Sequence, residues 1–375
     1  MSNEGIIGMR HVTFLSRRQM LAAMAGGAAA FASFGPAIAA EKTKVTMFGW
    51  EGYDTGLRAT QNLADQGVEL AYSAMNNNDE IITRLASGAN DIDLITPYMG
   101  YVPLLVAAGL VQPIDDALVP NLQKVPELFR NDRNIMVDGK RYAVPFTWGT
   151  GAMVYDPAVI KSAPESWFDV LKPEYAGKVG MSDDPLGNLL LAAKLVTDAK
   201  EPTRLTRAQL DKAIAFLVKL KKDHLRQIAV SFGELADALA RNEISITFNG
   251  GEFVKKYAAD KGKAVEFAYP KEGTFAWLDV CSLAASSTNI AAAHKVLNEM
   301  IGTQSQLALA KESAQGIVNV DAIAALDPAL KFYPYDNLGD FGSKAQFYQM
   351  PPLEASDGIM TWTDWQEAYE GFKAA

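Results

Sequence analysis

The chain has 375 residues, a formal net charge of −9 and one cysteine, Cys281. The acidic balance disfavours nucleic acid and anionic membrane surfaces as partners, and a lone cysteine excludes an intramolecular disulfide. The length exceeds one ordinary hydrophobic core and predicts two lobes.

Ser16-Arg17-Arg18-Gln19-Met20-Leu21 places a paired arginine directly before an uncharged apolar run, Met20 to Phe34. Ala37-Ile38-Ala39 follows as a small-residue site, and charge returns at Glu41. This is the layout of a cleaved export signal, with cleavage near Ala39 or Ala40. The twin arginine resembles a twin-arginine signal, the route for folded proteins. A retained anchor is the alternative, but the run is short of the roughly 20 residues a span needs. Residues 1–40 therefore leave the fold argument, and the protein is expected to work in the periplasm. Losing Arg10, Arg17, Arg18 and Glu4 makes the remaining chain more acidic still.

Lys44 to Trp50 alternates and predicts a strand. Thr55 to Gln66 predicts a helix ended by Gly67. Val68 to Ser73 is a second strand, and Asn78 or Asp79 caps a helix carrying Ile81, Ile82 and Leu85. Asp91 to Pro97 predicts a third strand and Tyr101 to Leu110 a further helix. Strand and helix alternate, implying an α/β lobe with a mostly parallel sheet. Asp138-Gly139-Lys140 is a turn signal. Arg141 to Tyr155 reads as the chain crossing between lobes. A second α/β pattern follows, with a capping box at Thr206 and Gln209 and a strand at Ile244 to Phe248. Phe275 to Leu283 is the candidate return crossing, and Asn289 is placed to cap the next helix. The divisions are 41–147 for the first part of lobe 1, 148–276 for lobe 2 and 277–330 for the return to lobe 1. Residues 331–375 form a C-terminal segment of unassigned lobe.

Catalytic signatures are sparse. His224 and His294 each lie beside charged or polar residues and are expected at the surface. No metal-spaced His/Cys cluster, Gly-x-Ser-x-Gly elbow or phosphate-binding loop is present, so no cofactor is expected. Asp183-Asp184 offers a carboxylate pair for a secreted α/β hydrolase or lyase, but adjacent strand residues point to opposite faces.

What the strand ends do carry is aromatic rings and acids. In open α/β sheets ligands bind beyond the carboxyl ends of strands. Trp50-Glu51-Gly52-Tyr53 follows the first strand, Tyr98 follows the third, and Asp184 and Phe248 end stretches of the second lobe. Trp277 and Asp279 share one face of the return crossing. Aromatic walls with carboxylates suit an organic ammonium ion. Each residue has a plainer reading: Trp50 as core or rim, Asp184 as a helix cap. Asp279 on an apolar strand needs a cation from a ligand or from protein, with Arg141 one such partner.

From these segments the chain resembles the periplasmic spermidine/putrescine-binding proteins of ABC importers. The resemblance is carried by Gly49 to Tyr53, Asp93 to Pro97, Gly109 to Asp115, Tyr142 to Gly149, Ser166 to Lys178, Ser182-Asp183-Asp184, Phe248-Asn249-Gly250, Pro270 to Gly273 and Trp277-Leu278-Asp279, in that order. It implies a type II periplasmic binding protein, two α/β lobes around a hinged ligand cleft. It implies a binding protein rather than an enzyme, delivering its solute to a membrane permease, with a monomer as the default. Ligand-facing positions of the family fall on Trp50, Tyr53, Asp184, Phe248, Trp277 and Asp279. The chain departs from the family at Tyr98, where a Ser is usual, at Gly100, where a Tyr is usual, at Gly187 in place of an acid, and at Gln315 in place of a Tyr. A polyamine is the first expectation. An amino-acid-derived or other nitrogenous solute is the alternative, with Glu51 or Glu252 available to restore the lost charge.

Overall fold

The computed structural model describes residues 42–75, 77–342 and 344–375, so the export-signal reading lies outside the described residues. Strand β1 (Thr43–Trp50) buries Val45 and Met47 on alternate positions. It pairs in parallel with β2 (Val68–Met75) along its whole length and with β3 (Leu94–Ile95) on its other side. The expected third strand is shortened because Asp93 spends its side chain on the backbone. Its carboxylate accepts from Thr46 N–H at 2.9 Å and from the Ser287 hydroxyl at 2.6 Å. The expected helix from Thr55 to Gln66 is broken into Thr55–Arg58 and Asn62–Asp65. Buried Glu299 draws in the Asn62 amide at 2.7 Å, and Thr60 lies 3.5 Å from the same oxygen. Side-chain bonding of this kind competes with helix.

After β4 (Val111–Gln112) comes a hairpin of β5 (Met136–Val137) and β6 (Lys140–Arg141), turning at Asp138-Gly139. Strand β7 (Val144–Thr150) is buried at every position and carries the chain out of the first sheet. A second sheet begins at β8 (Met153–Tyr155) and adds β9 (Val179–Ser182), β10 (Leu225–Ala229), β11 (Ile246–Phe248) and β12 (Glu266–Ala268), in the order β10-β9-β11-β8-β12. Strand β13 (Thr274–Ala284) returns, antiparallel to β7 from Ala276 opposite Thr150 to Cys281 opposite Val144. Short strands β14 (Gly316–Ile317) and β15 (Ala345–Phe347) complete an eight-stranded first sheet. That sheet is mixed where a mostly parallel one was expected, because both crossing strands run antiparallel within it.

The C-terminal segment divides between the lobes. β15 pairs with β13 in the first sheet. The final helix, Trp362–Ala374, lies on the second lobe and buries Trp362, Trp365, Tyr369 and Phe372 in that lobe's core. The chain thus crosses the hinge three times. His224 and His294 are buried, contrary to expectation. His294 Nε2 accepts from Asp115 N–H at 3.0 Å while Nδ1 meets the Ile290 carbonyl at 2.7 Å, so the ring serves as a structural bridge. Asn289 gives its side chain to Asp93 and the Lys44 carbonyl instead of capping its own helix.

Trp365 is fully buried. Trp365→Ala is expected to lower stability by about 3–5 kcal/mol, measured by equilibrium urea unfolding. A loss below about 0.5 kcal/mol, the range of surface substitutions, would show that the last helix is not part of the core.

Candidate functional site

The β7–β13 ribbon sets the geometry. Trp277 lies opposite Gly149, and Asp279 opposite Thr147. A Cβ on Gly149 would overlap Trp277 Cζ2, so glycine is what lets the indole lie across the ribbon. Trp277 is half-buried and packs against the cores of both lobes. Phe253, from the turn before the helix Val254–Asp260, meets it edge-on at 6.2 Å.

Asp279 is 8% exposed. Its carboxylate accepts from the Tyr53 hydroxyl, which arrives from the turn after β1. Among the described residues no Lys, Arg or His forms an ion pair with it. Arg141, considered as its partner, instead pairs with Asp116 at 2.7 Å and donates to the Arg130 carbonyl at 2.6 Å. Burial pushes the Asp279 carboxyl up to about 7, against the Tyr53 hydrogen bond, which favours the ionised form. Tyr53 is itself buried, edge-on to Phe146 at 5.1 Å.

Trp50 is half-buried, its N–H donating to Thr96 Oγ1 at 3.2 Å and its carbonyl accepting from Tyr72. Its indole Nε1 is buried with no hydrogen-bond partner, an unmet donor beside Tyr53 in sequence. Glu51 is exposed. Tyr98 is buried, bridges backbone to backbone with Asp279 and donates its hydroxyl to the Tyr348 carbonyl at 2.6 Å. Gln315 accepts from Thr147 Oγ1 at 3.4 Å, which places it next to the cross-strand neighbour of Asp279.

From the second lobe, Asp184 is the N-cap of the helix Pro185–Val196. It accepts from Gly187 N–H at 3.0 Å and from Asn249 Nδ2 at 3.1 Å. Burial raises its pKa and these bonds oppose the rise. The plainer reading of Asp184 as a cap is therefore realised, yet two neutral donors leave a carboxylate room for a cation. Asp183 turns away to Lys373 at 3.2 Å, so the two acids do not form a catalytic pair.

Two expected residues lie elsewhere. Phe248 is fully buried between Trp167 at 5.4 Å and Phe216 at 5.9 Å, inside the second-lobe core. Glu252 is sealed below the ribbon, accepting from Thr150 Oγ1 at 2.6 Å and the Tyr269 hydroxyl at 2.8 Å. Phe253 and Asn249, absent from the expected site residues, touch Trp277 and Asp184 respectively. Asn249 holds a positive φ of 58°, which asparagine tolerates, and its place in Phe248-Asn249-Gly250 was the available signal.

The lobes meet around this site. Gln366 on the last helix donates to Asp79 Oδ2 at 2.8 Å, and Tyr101 donates to Asp79 Oδ1 at 3.3 Å. A separate cavity of about 340 Å³ lies on the opposite face of the ribbon, against Trp148 and Ala276, away from Asp279. No group of His, Cys, Asp and Glu able to hold a metal occurs among the described residues. Asp279, beside Tyr53 and Trp277, and Asp184 of the second lobe each accept from neutral donors only, an arrangement able to take up an organic cation.

Comparison with known proteins bears on this geometry. A family profile described as bacterial extracellular solute-binding protein matches residues 58–338. The chain is 24% identical to the spermidine/putrescine-binding periplasmic protein 1 of Haemophilus influenzae over 333 residues, covering 84% of this chain and 89% of that one. It is 26% identical to the putrescine-binding periplasmic protein PotF of Escherichia coli over 301 residues, 76% and 80% of the two chains. Among solved structures, a putative spermidine/putrescine ABC transporter from Listeria monocytogenes superposes with a TM-score of 0.74 at 18% identity, covering 88% of this chain and 98% of that one. The fold is that of the periplasmic binding proteins, two α/β lobes joined by crossing strands.

The Asp279 carboxyl gives the ligand-free protein a pH signature. Between the ordinary aspartate value of 3.8 and about 7, the folded protein holds a proton that the unfolded chain releases. Stability from this group is therefore greatest below about pH 4 and is lost as pH rises towards 7. Each pH unit inside that window changes its contribution by about 1.4 kcal/mol. The difference in unfolding free energy between the protein and Asp279→Asn is therefore expected to move by about 3 kcal/mol between urea titrations at pH 5 and pH 8. An unchanged difference would mean that Asp279 titrates normally.

Proposed function

Because the chain belongs to the bacterial extracellular solute-binding proteins, we propose that it is the receptor component of an ABC importer. It captures a small cationic organic amine, a polyamine first, and delivers it to the membrane permease. It acts by binding, without turnover and without a cofactor, as a monomer. It acts in the periplasm after a twin-arginine-type leader is removed near Ala39 or Ala40.

The observation that carries this reading is Asp279. A buried carboxylate with a neutral phenol as its polar partner is costly unless a cation joins it. An ammonium there would form a charge-assisted hydrogen bond of about 1.5–3 kcal/mol. Beside the Trp277 indole it would gain about 2 kcal/mol more once water is excluded. Asp184 from the other lobe supplies a second acceptor, so one ligand with two cationic ends would hold the lobes together. Relatives named for spermidine and putrescine agree with this chemistry.

Titration with putrescine, spermidine and a panel of amino acids is expected to change tryptophan emission and raise the melting temperature with an amine. A response to amino acids alone would sink the polyamine reading. Asp279→Asn is expected to cost on the order of 2–5 kcal/mol in amine affinity; calorimetry showing unchanged affinity with lowered stability would mark Asp279 as structural. Affinity should also fall about tenfold per pH unit below about 7, since the cation needs the ionised carboxylate. Equal affinities at pH 6 and pH 8 would contradict that role.

A further inference from the structure

A hydrogen bond joins the lobes without passing through a crossing strand. Gln366 Nε2 of the last helix donates to Asp79 Oδ2 at 2.8 Å, between positions 287 apart in the chain. Asp79 opens the helix Asp79–Ala86, which follows β2 and sends Ile81 and Leu85 into the first-lobe core. It therefore stands beyond the carboxyl end of a first-sheet strand, on the side where α/β sheets bind ligands. Gln366 rides a helix seated in the second-lobe core by Trp362, Trp365, Tyr369 and Phe372. The pair thus spans the cleft. Leu186, two residues after Asp184, packs against both cores, so apolar contact spans it as well.

Each partner is tied to the buried acid of its own lobe. In the first lobe, Tyr101 donates to Asp79 Oδ1 at 3.3 Å and fixes the carboxylate. The neighbouring Asn78 accepts from Tyr98 N–H at 2.9 Å, and Tyr98 bridges to the backbone of Asp279. In the second lobe, one turn on from Gln366, the Tyr369 hydroxyl accepts from Asn188 Nδ2 at 2.9 Å. Asn188 Oδ1 accepts in turn from Asn249 Nδ2 at 3.0 Å, and the same amide donates to Asp184 Oδ2 at 3.1 Å. Tyr369, Asn188 and Asn249 are all buried. Buried polar networks of this kind rigidify the groups they join.

We propose that Asp79 and Gln366 form a latch across the cleft, which holds the lobes closed through protein groups alone and keeps Asp279 and Asp184 in register for a solute. Rotation about the crossing strands parts any bond that spans the cleft, so opening the lobes costs this one. Apparent affinity falls with the fraction of the protein in its binding-competent form. Residues that never touch the solute therefore set how tightly it is held. The register with the two acids rests on the amine reading above; the latch itself does not.

Small-angle X-ray scattering of the ligand-free protein tests the latch, and calorimetry with putrescine and spermidine tests the register. Gln366→Glu sets a second carboxylate against Asp79, and like charges repel. Gln366→Ala removes the donor and serves if the Glu variant fails to fold, as judged by melting. Both are expected to raise the radius of gyration. Gln366→Glu should also weaken binding of whichever amine the unaltered protein takes by at least about tenfold. A radius unchanged in the folded variants overturns the latch. A raised radius with unchanged amine affinity overturns the register with the two acids. If the radius rises while the unaltered protein binds neither amine, the amine reading falls and the latch stands.

Discussion

A carboxylate held out of water without a countercharge is the constraint around which this molecule is arranged. Asp279 sits on the strand that returns from the second lobe to the first, so its position is fixed by the longest antiparallel pairing of the hinge. Tyr53 reaches it from the end of β1, Tyr98 bridges to its backbone, and Thr147 opposes it across the ribbon. Three separate stretches of the first lobe are therefore organised about one acid. What they provide is shape and a single hydrogen bond, and the charge is left over. In a structural ion pair the protein would have supplied that charge, as it does for Arg141 and Asp116.

The hinge is more than a pair of linkers. Both crossing strands lie within the first sheet, and Glu252 of the second lobe binds Thr150 at the end of one crossing and Tyr269 near the start of the other. Beyond them, the strap from β15 to the last helix makes the third crossing and carries Gln366 to Asp79. Asp279 and the contacts that hold the lobes together thus belong to one connected region. Closing the lobes removes solvent from the cleft, which strengthens every charged contact inside it.

Much of this was legible in the amino-acid order. Alternation along Lys44 to Trp50 and the Trp277-x-Asp279 spacing placed strands and faces, because the period of two is a purely local property. The Thr206–Gln209 capping box was equally local and is present. What the order could not disclose were pairings between distant residues. The bond from Tyr53 to Asp279 joins positions 226 apart in the chain. His294 looked like surface beside polar neighbours until Asp115 and Ile290 closed on it. Phe248 stands next to the Asn-Gly turn that faces Asp184, yet its own side chain points into the core, since neighbouring strand residues face opposite ways. The break after Arg58 likewise follows from Glu299, which no local pattern could announce.

The last helix has a consequence for how the molecule is made. The second-lobe core includes Trp362, Trp365, Tyr369 and Phe372, residues synthesised after almost everything they pack against. The first sheet likewise waits for β13 to β15 before it is complete. Neither lobe can finish folding until the residues from β13 to the last helix have been made. Contacts of such long sequence separation fold slowly. A product truncated before the last helix would lack part of the second-lobe core and would expose the apolar surface it covers as a target for quality control.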